Sequence, residues 1–384
     1  LIARTPEAFA KSGITVRLNT RVDSIRPDAQ TVKLASGDTL PFDHLLLATG
    51  AAPRLPDVAG HNLEGIFTLR NVSDALRIKS FLEEKGSRRA LVVGAGLVSL
   101  EMCEAFRKRG LQTTILYHKA LPLQRLGPEF PRKILDELEA NGVVFMANTS
   151  LKGFDRAANG GIVVQTTGAT IEVDLVLIGV GVVPSVSLAV QAGIKLGPTG
   201  AVAVNDHLKT NFPFIYSAGD CCECYHRISR RPVYAPLGDV ANKQGRIAGA
   251  NIGGQDVTFP GIVGSFCVKV FDLEVASTGL TEEEAKESGL EATSFTIQGV
   301  SKAHAFPGAQ KLWLRLVAET GSGRLLGAQA VGGNGVVSRI NVMAAALTAG
   351  LSLEEVAYLD LAYAPPFSGA WDPIHIVAQQ LLKE

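Results

Sequence analysis

The segment Phe214-Ile215-Tyr216-Ser217-Ala218-Gly219-Asp220 is an apolar strand that ends in a carboxylate. A glycine without a side chain precedes that Asp, so the carboxylate can reach sugar hydroxyls. The carboxyl ends of such strands are where α/β sheets bind nucleotides. A second apolar strand ends similarly in Leu45-Leu46-Leu47-Ala48-Thr49-Gly50. A third, Ala90 to Val93, is the continuous apolar run of a buried parallel strand, and it feeds Gly94-Ala95-Gly96-Leu97-Val98-Ser99-Leu100-Glu101. Three such ends imply two nucleotide cofactors.

In the third segment Gly94 permits a tight turn. Gly96 lets backbone N–H groups approach a pyrophosphate at the start of the helix that follows. Ser99 replaces the third glycine of the fingerprint, which predicts slightly looser packing of helix on strand. The next strand, Gln112 to Leu116, runs into Tyr117-His118-Lys119. An NADH-specific site places an acid there for the ribose 2′-OH. Here Tyr117 can stack on adenine, while His118 and Lys119 either meet a 2′-phosphate or form a solvated loop edge. The first alternative favours NADPH, or tolerance of both nucleotides.

The chain repeats itself. Gly13 to Val22 reads like Gly142 to Leu151, a glycine ending a helix, then a strand, then Asn-Thr. Asp43 to Pro53 reads like Asp174 to Pro184, so that Gly181 falls opposite Gly50 and joins the nucleotide-binding glycines. The shared offset of about 130 residues marks two copies of one nucleotide-binding unit. The second copy has its glycine turn, whereas the equivalent of the first would precede Leu1. The expectation is therefore a piece of a longer polypeptide.

With 384 residues the chain has room for two or three domains. Its 37 basic and 37 acidic residues give no net charge, so neither nucleic acid nor an anionic membrane surface is an expected partner. No apolar stretch is long enough to span a membrane and the start has no signal-peptide pattern. Five cysteines, an odd number in a chain of this size, argue against a secreted disulfide framework. The expected location is the cytoplasm.

Taken in order, Ala48-Thr49-Gly50, the glycine turn through Glu101, Ala218-Gly219-Asp220, Pro236 to Gly249 and Ala362-Tyr363-Ala364-Pro365-Pro366-Phe367 resemble the pyridine nucleotide-disulfide oxidoreductase superfamily. They look most like its single-cysteine branch of coenzyme A-disulfide reductases, NADH oxidases, NADH peroxidases and persulfide reductases. The resemblance implies an α/β fold with two tandem Rossmann-like domains, for FAD and NAD(P), and an α+β carboxyl-terminal dimerisation domain. Residues 1–72 and 189–257 would form the FAD-binding domain, 73–188 the NAD(P)-binding domain and 258–384 the dimerisation domain of a homodimer. It also implies that Thr49 and Gly50 line the ADP part of FAD, and that Asp220, behind Gly219, holds the ribityl hydroxyls. Pro236 and Leu237 would open a helix aimed at the flavin pyrimidine ring. Glu101 either lies near the nicotinamide–flavin contact or is an ordinary solvated carboxylate. Tyr363 either faces the partner's active site as a hydroxyl donor or is an interface residue without chemistry.

The redox cysteine of that branch would precede Leu1. Cys221, Cys222 and Cys224 lack the paired CxxC spacing of zinc sites and are expected as packing residues, with redox or metal duty the alternative; no metal is expected. Cys103 and Cys267 read as buried. NAD(P)H is the implied donor and a small disulfide, a persulfide or dioxygen the acceptor. A ferredoxin or rubredoxin reductase is the further alternative. Ala303-His304-Ala305-Phe306 and Gly369-Ala370-Trp371 depart from the aromatic and basic residues that coenzyme A-disulfide reductases carry there. Lys302 and His304 could compensate.

Overall fold

In the computed structural model of the chain, Arg89–Val93 is a strand, Leu97–Lys108 is a helix and Gly94 to Gly96 turn between them. The structure describes residues 4–127 and 129–383; the ends of the outermost expected domains, at Leu1 and Glu384, lie outside these. The strand is central in a five-stranded parallel sheet, in the order Ile66–Phe67, Leu175–Ile178, Arg89–Val93, Gln112–Leu116, Val143–Met146. Side chains alternate across it. Ala90 and Val92 face Leu100, Cys103 and Phe106 of the turn helix and Ile134 and Leu138 of the helix Phe130–Ala140. Leu91 and Val93 face Phe154, Ile162 and Val164 of a three-stranded antiparallel meander. Both faces are covered, which is why the strand reads as an unbroken apolar run.

The two sequence copies follow one backbone path for part of their length. Gly13 and Gly142 sit at φ +75 and +74, and Asn19 and Asn148 at φ +53 and +52, all in the left-handed region. Thr20 and Thr149 each donate their hydroxyl to the carbonyl two residues earlier. Between these points the copies differ. Val143–Met146 pairs with Gln112–Leu116, but residues 14–17, expected as a strand, are not one. A strand exists only against a neighbour's hydrogen-bonding edge, and among the described residues no strand pairs with this stretch. Ile14, Val16 and Leu18 are left exposed.

The chain divides into two compact units. One comprises the residues up to Ala51 with Pro184–Cys224 and Pro232–Pro260; the other comprises Ala52–Val183, Tyr225–Arg231 and everything from Gly261 onward. The first holds the helix Gly238–Ile252 and a parallel pair, Leu45–Leu47 with Ile215–Ser217; its core includes Ile25, Leu34, Leu47 and Ile215.

The second unit ends in a five-stranded antiparallel sheet, ordered Phe266–Val270, Leu273–Gly279, Leu325–Gly332, Lys311–Glu319, Ala292–Val300. One face packs on the helices Val336–Ala349 and Pro373–Leu381. The other packs on the turn helix and on Phe130–Ala140, through Val268, Val275, Val331 and Trp313. Arg315, on that face, donates to Thr296 Oγ1 at 2.8 Å and to the Leu126 carbonyl at 3.3 Å, and its guanidinium lies over the Phe130 ring. Sequence reading missed Ala292–Val300, an edge strand with polar residues on both faces and no fully buried side chain. Cys267, expected to be buried, is exposed. Phe266–Val270 is also an edge strand, and its alternation puts Cys267 and Lys269 outward while Val268 and Val270 go inward. Among the described residues no helix is long and apolar enough to cross a membrane.

Asp372 fastens the last segment. It caps the helix Pro373–Leu381 through the Ile374 N–H at 2.9 Å and accepts the Ser368 hydroxyl at 2.7 Å. It also pairs with the buried Arg339 guanidinium at 2.8–3.1 Å. Removing one member of a buried pair strands the other charge, so Asp372→Ala should lower unfolding free energy by about 3–5 kcal/mol. Urea titration checks this, and an unchanged midpoint would show that the pair does not hold the segment.

Candidate functional site

Parallel pairing places Ile178, Val93 and Leu116 level with one another. The loops that follow them, Gly179 to Gly181, Gly94 to Gly96 and Tyr117-His118, therefore emerge at one edge. They wall a cleft of about 410 Å³ together with Thr149, Ser150 and Leu151. Gly94 sits at φ +105, and an added Cβ would collide with the Gly179 carbonyl, so only glycine serves there. At Gly96 an added Cβ would meet nothing within 4 Å, so no protein neighbour demands this glycine. Gly96 is also the N-cap of the turn helix and gives it no side-chain cap. First-turn N–H groups in that state suit an anion.

Ser99 does not loosen the packing. It is buried, and its hydroxyl donates to the Gly179 carbonyl at 3.2 Å. A Cβ on Gly179 would strike the Ser99 hydroxyl oxygen. The space surrendered by the helix position is thus recovered at the end of the neighbouring strand.

Of the expected residues, Gly94, Gly96, Tyr117, His118 and Gly181 line one cleft. Tyr117 is half-buried with its ring against His118 and Phe145, and burial pushes its hydroxyl pKa up. Lys119 is exposed and its side chain is not part of the cleft wall; its carbonyl accepts the Asn148 N–H at 3.1 Å. Glu101 lies on the second turn of the helix, where desolvation and then the nearby Glu104 push its carboxyl up. Among the described residues that line the cleft none is acidic. Thr149 and Ser150 were not anticipated as lining, although the Asn-Thr shared by both repeats was a usable signal.

The other unit brings its two motifs together likewise. Leu47 pairs with Ser217 and the Ala218 N–H donates to the Leu47 carbonyl at 3.0 Å, so Ala48-Thr49-Gly50 and Ala218-Gly219-Asp220 leave neighbouring strands side by side. Thr49 Oγ1 donates to the Ser185 carbonyl at 2.7 Å, and Gly50 sits at φ +68. Gly219 is at φ +81 and donates its N–H to Gln244 Oε1 at 2.8 Å. The Tyr234 hydroxyl donates to the Asp220 carbonyl at 3.0 Å. Gln244 is buried and clamps the helix to the strand end. The helix itself begins at Gly238, two residues later than the expected start at Pro236. Leu237 is its extended N-cap without a side-chain cap, and Pro236 lies outside it.

Cys221, Cys222 and Cys224 are buried free thiols. Cys221 donates weakly to the Leu47 and Ala218 carbonyls, Cys222 to Gln244 and Cys224 to the Val233 carbonyl. Burial pushes Cys222 up and lifts Cys103 and Cys224 to about 12, which removes thiolate character. Among the described residues no three His, Cys, Asp or Glu side chains converge as a metal site. Tyr363 is 54% exposed, with Tyr358, Phe367 and Trp371 also exposed along the same terminal segment. That segment is tied at Pro365, whose carbonyl accepts the Ala303 N–H at 2.9 Å.

Residues 3–245 match the pyridine nucleotide-disulphide oxidoreductase family, and residues 265–373 match its dimerisation domain. The chain is 36% identical over 384 residues to an NAD(P)H sulfur oxidoreductase (CoA-dependent) of Pyrococcus furiosus, a match spanning 98% of this chain and 85% of that protein. It is 33% identical over 383 residues to a coenzyme A disulfide reductase of Staphylococcus aureus, spanning 98% and 85%. Among solved structures, the NAD-dependent persulfide reductase from A. fulgidus superimposes with a TM-score of 0.95 at 34% identity, covering 100% of this chain and 72% of that one. The level strand ends and their two glycine-lined loop sets are thus those of a known fold, and the chain belongs to the pyridine nucleotide-disulphide oxidoreductases, NAD(P)H-dependent enzymes whose family cofactor is FAD.

Proposed function

We propose that this chain binds a nicotinamide nucleotide in the cleft after Arg89–Val93 and FAD at the paired ends of Leu45–Leu47 and Ile215–Ser217. The reaction is reduction of a small disulfide or persulfide. The observation that carries the reading is Gly96, a glycine that no protein neighbour requires, at the start of a helix without a side-chain cap, in the wall of a cleft of about 410 Å³. The sulfur chemistry is supported by the named activities of the Pyrococcus furiosus and Staphylococcus aureus relatives.

When bound, the two cofactors supply hydride and electron-pair chemistry, while the chain sets position and charge. The first turn of Leu97–Lys108 faces pyrophosphate. Tyr117 offers its ring to adenine, and His118 meets a 2′-phosphate, so NADPH is accepted at least as well as NADH. Gly181 leaves the opposite loop without a side chain. Thr49 and Gly50 hold the ADP part of FAD, and Asp220, braced by Gln244 and Tyr234, holds ribityl hydroxyls. Leu237 is the N-cap of a helix whose dipole stabilises negative charge on the pyrimidine ring. Four thiols are buried, and three of them are pushed up by that burial. The reading therefore gives none of these four the role of reacting sulfur. The enzyme works as a homodimer in which Tyr363 donates a proton or hydrogen bond in the partner's site, and its free thiols suit the cytoplasm.

Gly96→Ala should fold as well as wild type, because the new methyl meets no neighbour, yet bind NADPH about tenfold or more weakly. Thermal melting and fluorescence titration measure the two effects; undiminished affinity would remove pyrophosphate from this turn. His118→Glu should move preference toward NADH by about one to two orders of magnitude, the scale of one charge-assisted contact. A wild-type enzyme with a strong NADH preference contradicts the assignment of His118. Tyr363→Phe should leave dimerisation and NADPH affinity intact while slowing disulfide or polysulfide turnover by about 10²–10⁴-fold. Running that assay on coenzyme A disulfide, polysulfide and dioxygen identifies the acceptor. Turnover on dioxygen alone would replace the sulfur reading with an oxidase.

A further inference from the structure

Between Phe266–Val270 and Leu273–Gly279 the chain reverses through Phe271 and Asp272. Phe271 adopts φ +51, a conformation bulky residues rarely take, and its ring is buried in the core beside the turn helix. The tip of such a hairpin has N–H groups without ladder partners; that of buried Phe271 requires another acceptor, while Asp272 is exposed. Two glutamates from different helices accept from both. Glu104, on the turn helix, accepts the Phe271 N–H at 3.1 Å, and Glu137, on Phe130–Ala140, accepts the Asp272 N–H at 3.1 Å. Glu104 also pairs with Lys108 on its own helix and with Lys269 of the hairpin at 3.6 Å. Burial pushes its carboxyl up, but Lys108, Lys269 and the Phe271 N–H outweigh this and hold it below the usual range.

We propose that Glu104 is a positioning residue for the nucleotide cleft: by gripping the hairpin of the terminal sheet it sets where the turn helix presents Gly96 and its first-turn N–H groups. The inference rests on the reading of that cleft as a nicotinamide-nucleotide site. A helix is stiff over this length, so a bond at Glu104, two turns from Gly96, fixes the placement of its start. Small misplacements of a binding group are costly even when the fold survives. Glu137 grips the same hairpin from a helix that contributes nothing to the cleft wall, and so separates positioning from general cohesion.

Glu104→Ala, Glu104→Gln and Glu137→Ala in the full chain test this with two readouts. One is NADPH affinity by fluorescence titration; the other is amide exchange at Gly94 and Leu100 without nucleotide. Glu104→Ala should weaken NADPH binding about tenfold and speed exchange at both amides. Glu104→Gln, which keeps an acceptor oxygen, should recover most of both, and Glu137→Ala should change neither. Wild-type exchange at Gly94 and Leu100 in Glu104→Ala overturns the proposal, as does a Glu137→Ala protein that matches it in both readouts. If wild type does not bind NADPH while Glu104→Ala still loosens those amides, the anchoring stands and the cleft reading fails.

Discussion

Parallel strands share a direction, so once Ile178, Val93 and Leu116 are held level by their ladders, the loops after them must crowd one edge of the sheet. The rest of the second unit depends on that register. A shift of one residue would turn Leu91 and Val93 toward the helices and Ala90 and Val92 toward the meander, exchanging every side chain between two packed faces. The covered faces therefore make the register costly to change, and the register makes the cleft. Glycine then fills the places where loops approach too closely for a side chain, Gly94 against the Gly179 carbonyl and Gly179 against Ser99.

The same economy recurs at the other strand pair on a smaller scale. Two strands suffice to bring Thr49-Gly50 beside Gly219-Asp220, but two strands alone do not orient a loop. Gln244 and Tyr234 perform that task through backbone atoms, one accepting the Gly219 N–H and the other donating to the Asp220 carbonyl. Bonds to backbone hold the Asp220 main chain in place without constraining the identity of its side chain. In the terminal sheet, full burial of Leu325–Gly332 follows from having partners on both faces, helices on one and the nucleotide-binding layer on the other. Arg315 and the Phe271 hairpin reach across from this sheet to the layer of the turn helix.

Legibility in the sequence followed the physical range of each interaction. The glycine turn, the strand that feeds it and the Asn-Thr repeat are local, because φ angles, caps and hydroxyl-to-carbonyl bonds involve residues a few positions apart, and these were read correctly from composition and spacing. Residues 14–17 failed because a strand is a property of two segments. Ala292–Val300 was missed because its inward residues, Phe295 and Ile297, are only partly buried and share their face with Thr293, which blurs the alternation. Cys267 was misplaced because its outward direction depends on Phe266–Val270 being at an edge, which no single stretch reveals. Ser99 was misjudged because its compensating glycine, Gly179, is distant in the chain.

The sequence by itself determined the family-defining turns, the two nucleotide-binding copies and the absence of an acid after Leu116, since each is carried by residue identity at short spacing. Only the tertiary structure decided which of these residues share a wall. Tyr117, His118, Gly181 and Gly96 meet because parallel register brings separate strand ends level, and Lys119, although adjacent in sequence, stays out of the cleft wall. It also decided that Gln244 clamps the Gly219 N–H and that Glu104 and Glu137 serve a hairpin more than a hundred residues away. A side chain's hydrogen-bond partner is set by what the folded chain places within about 3 Å of it, and that distance has no expression in sequence spacing.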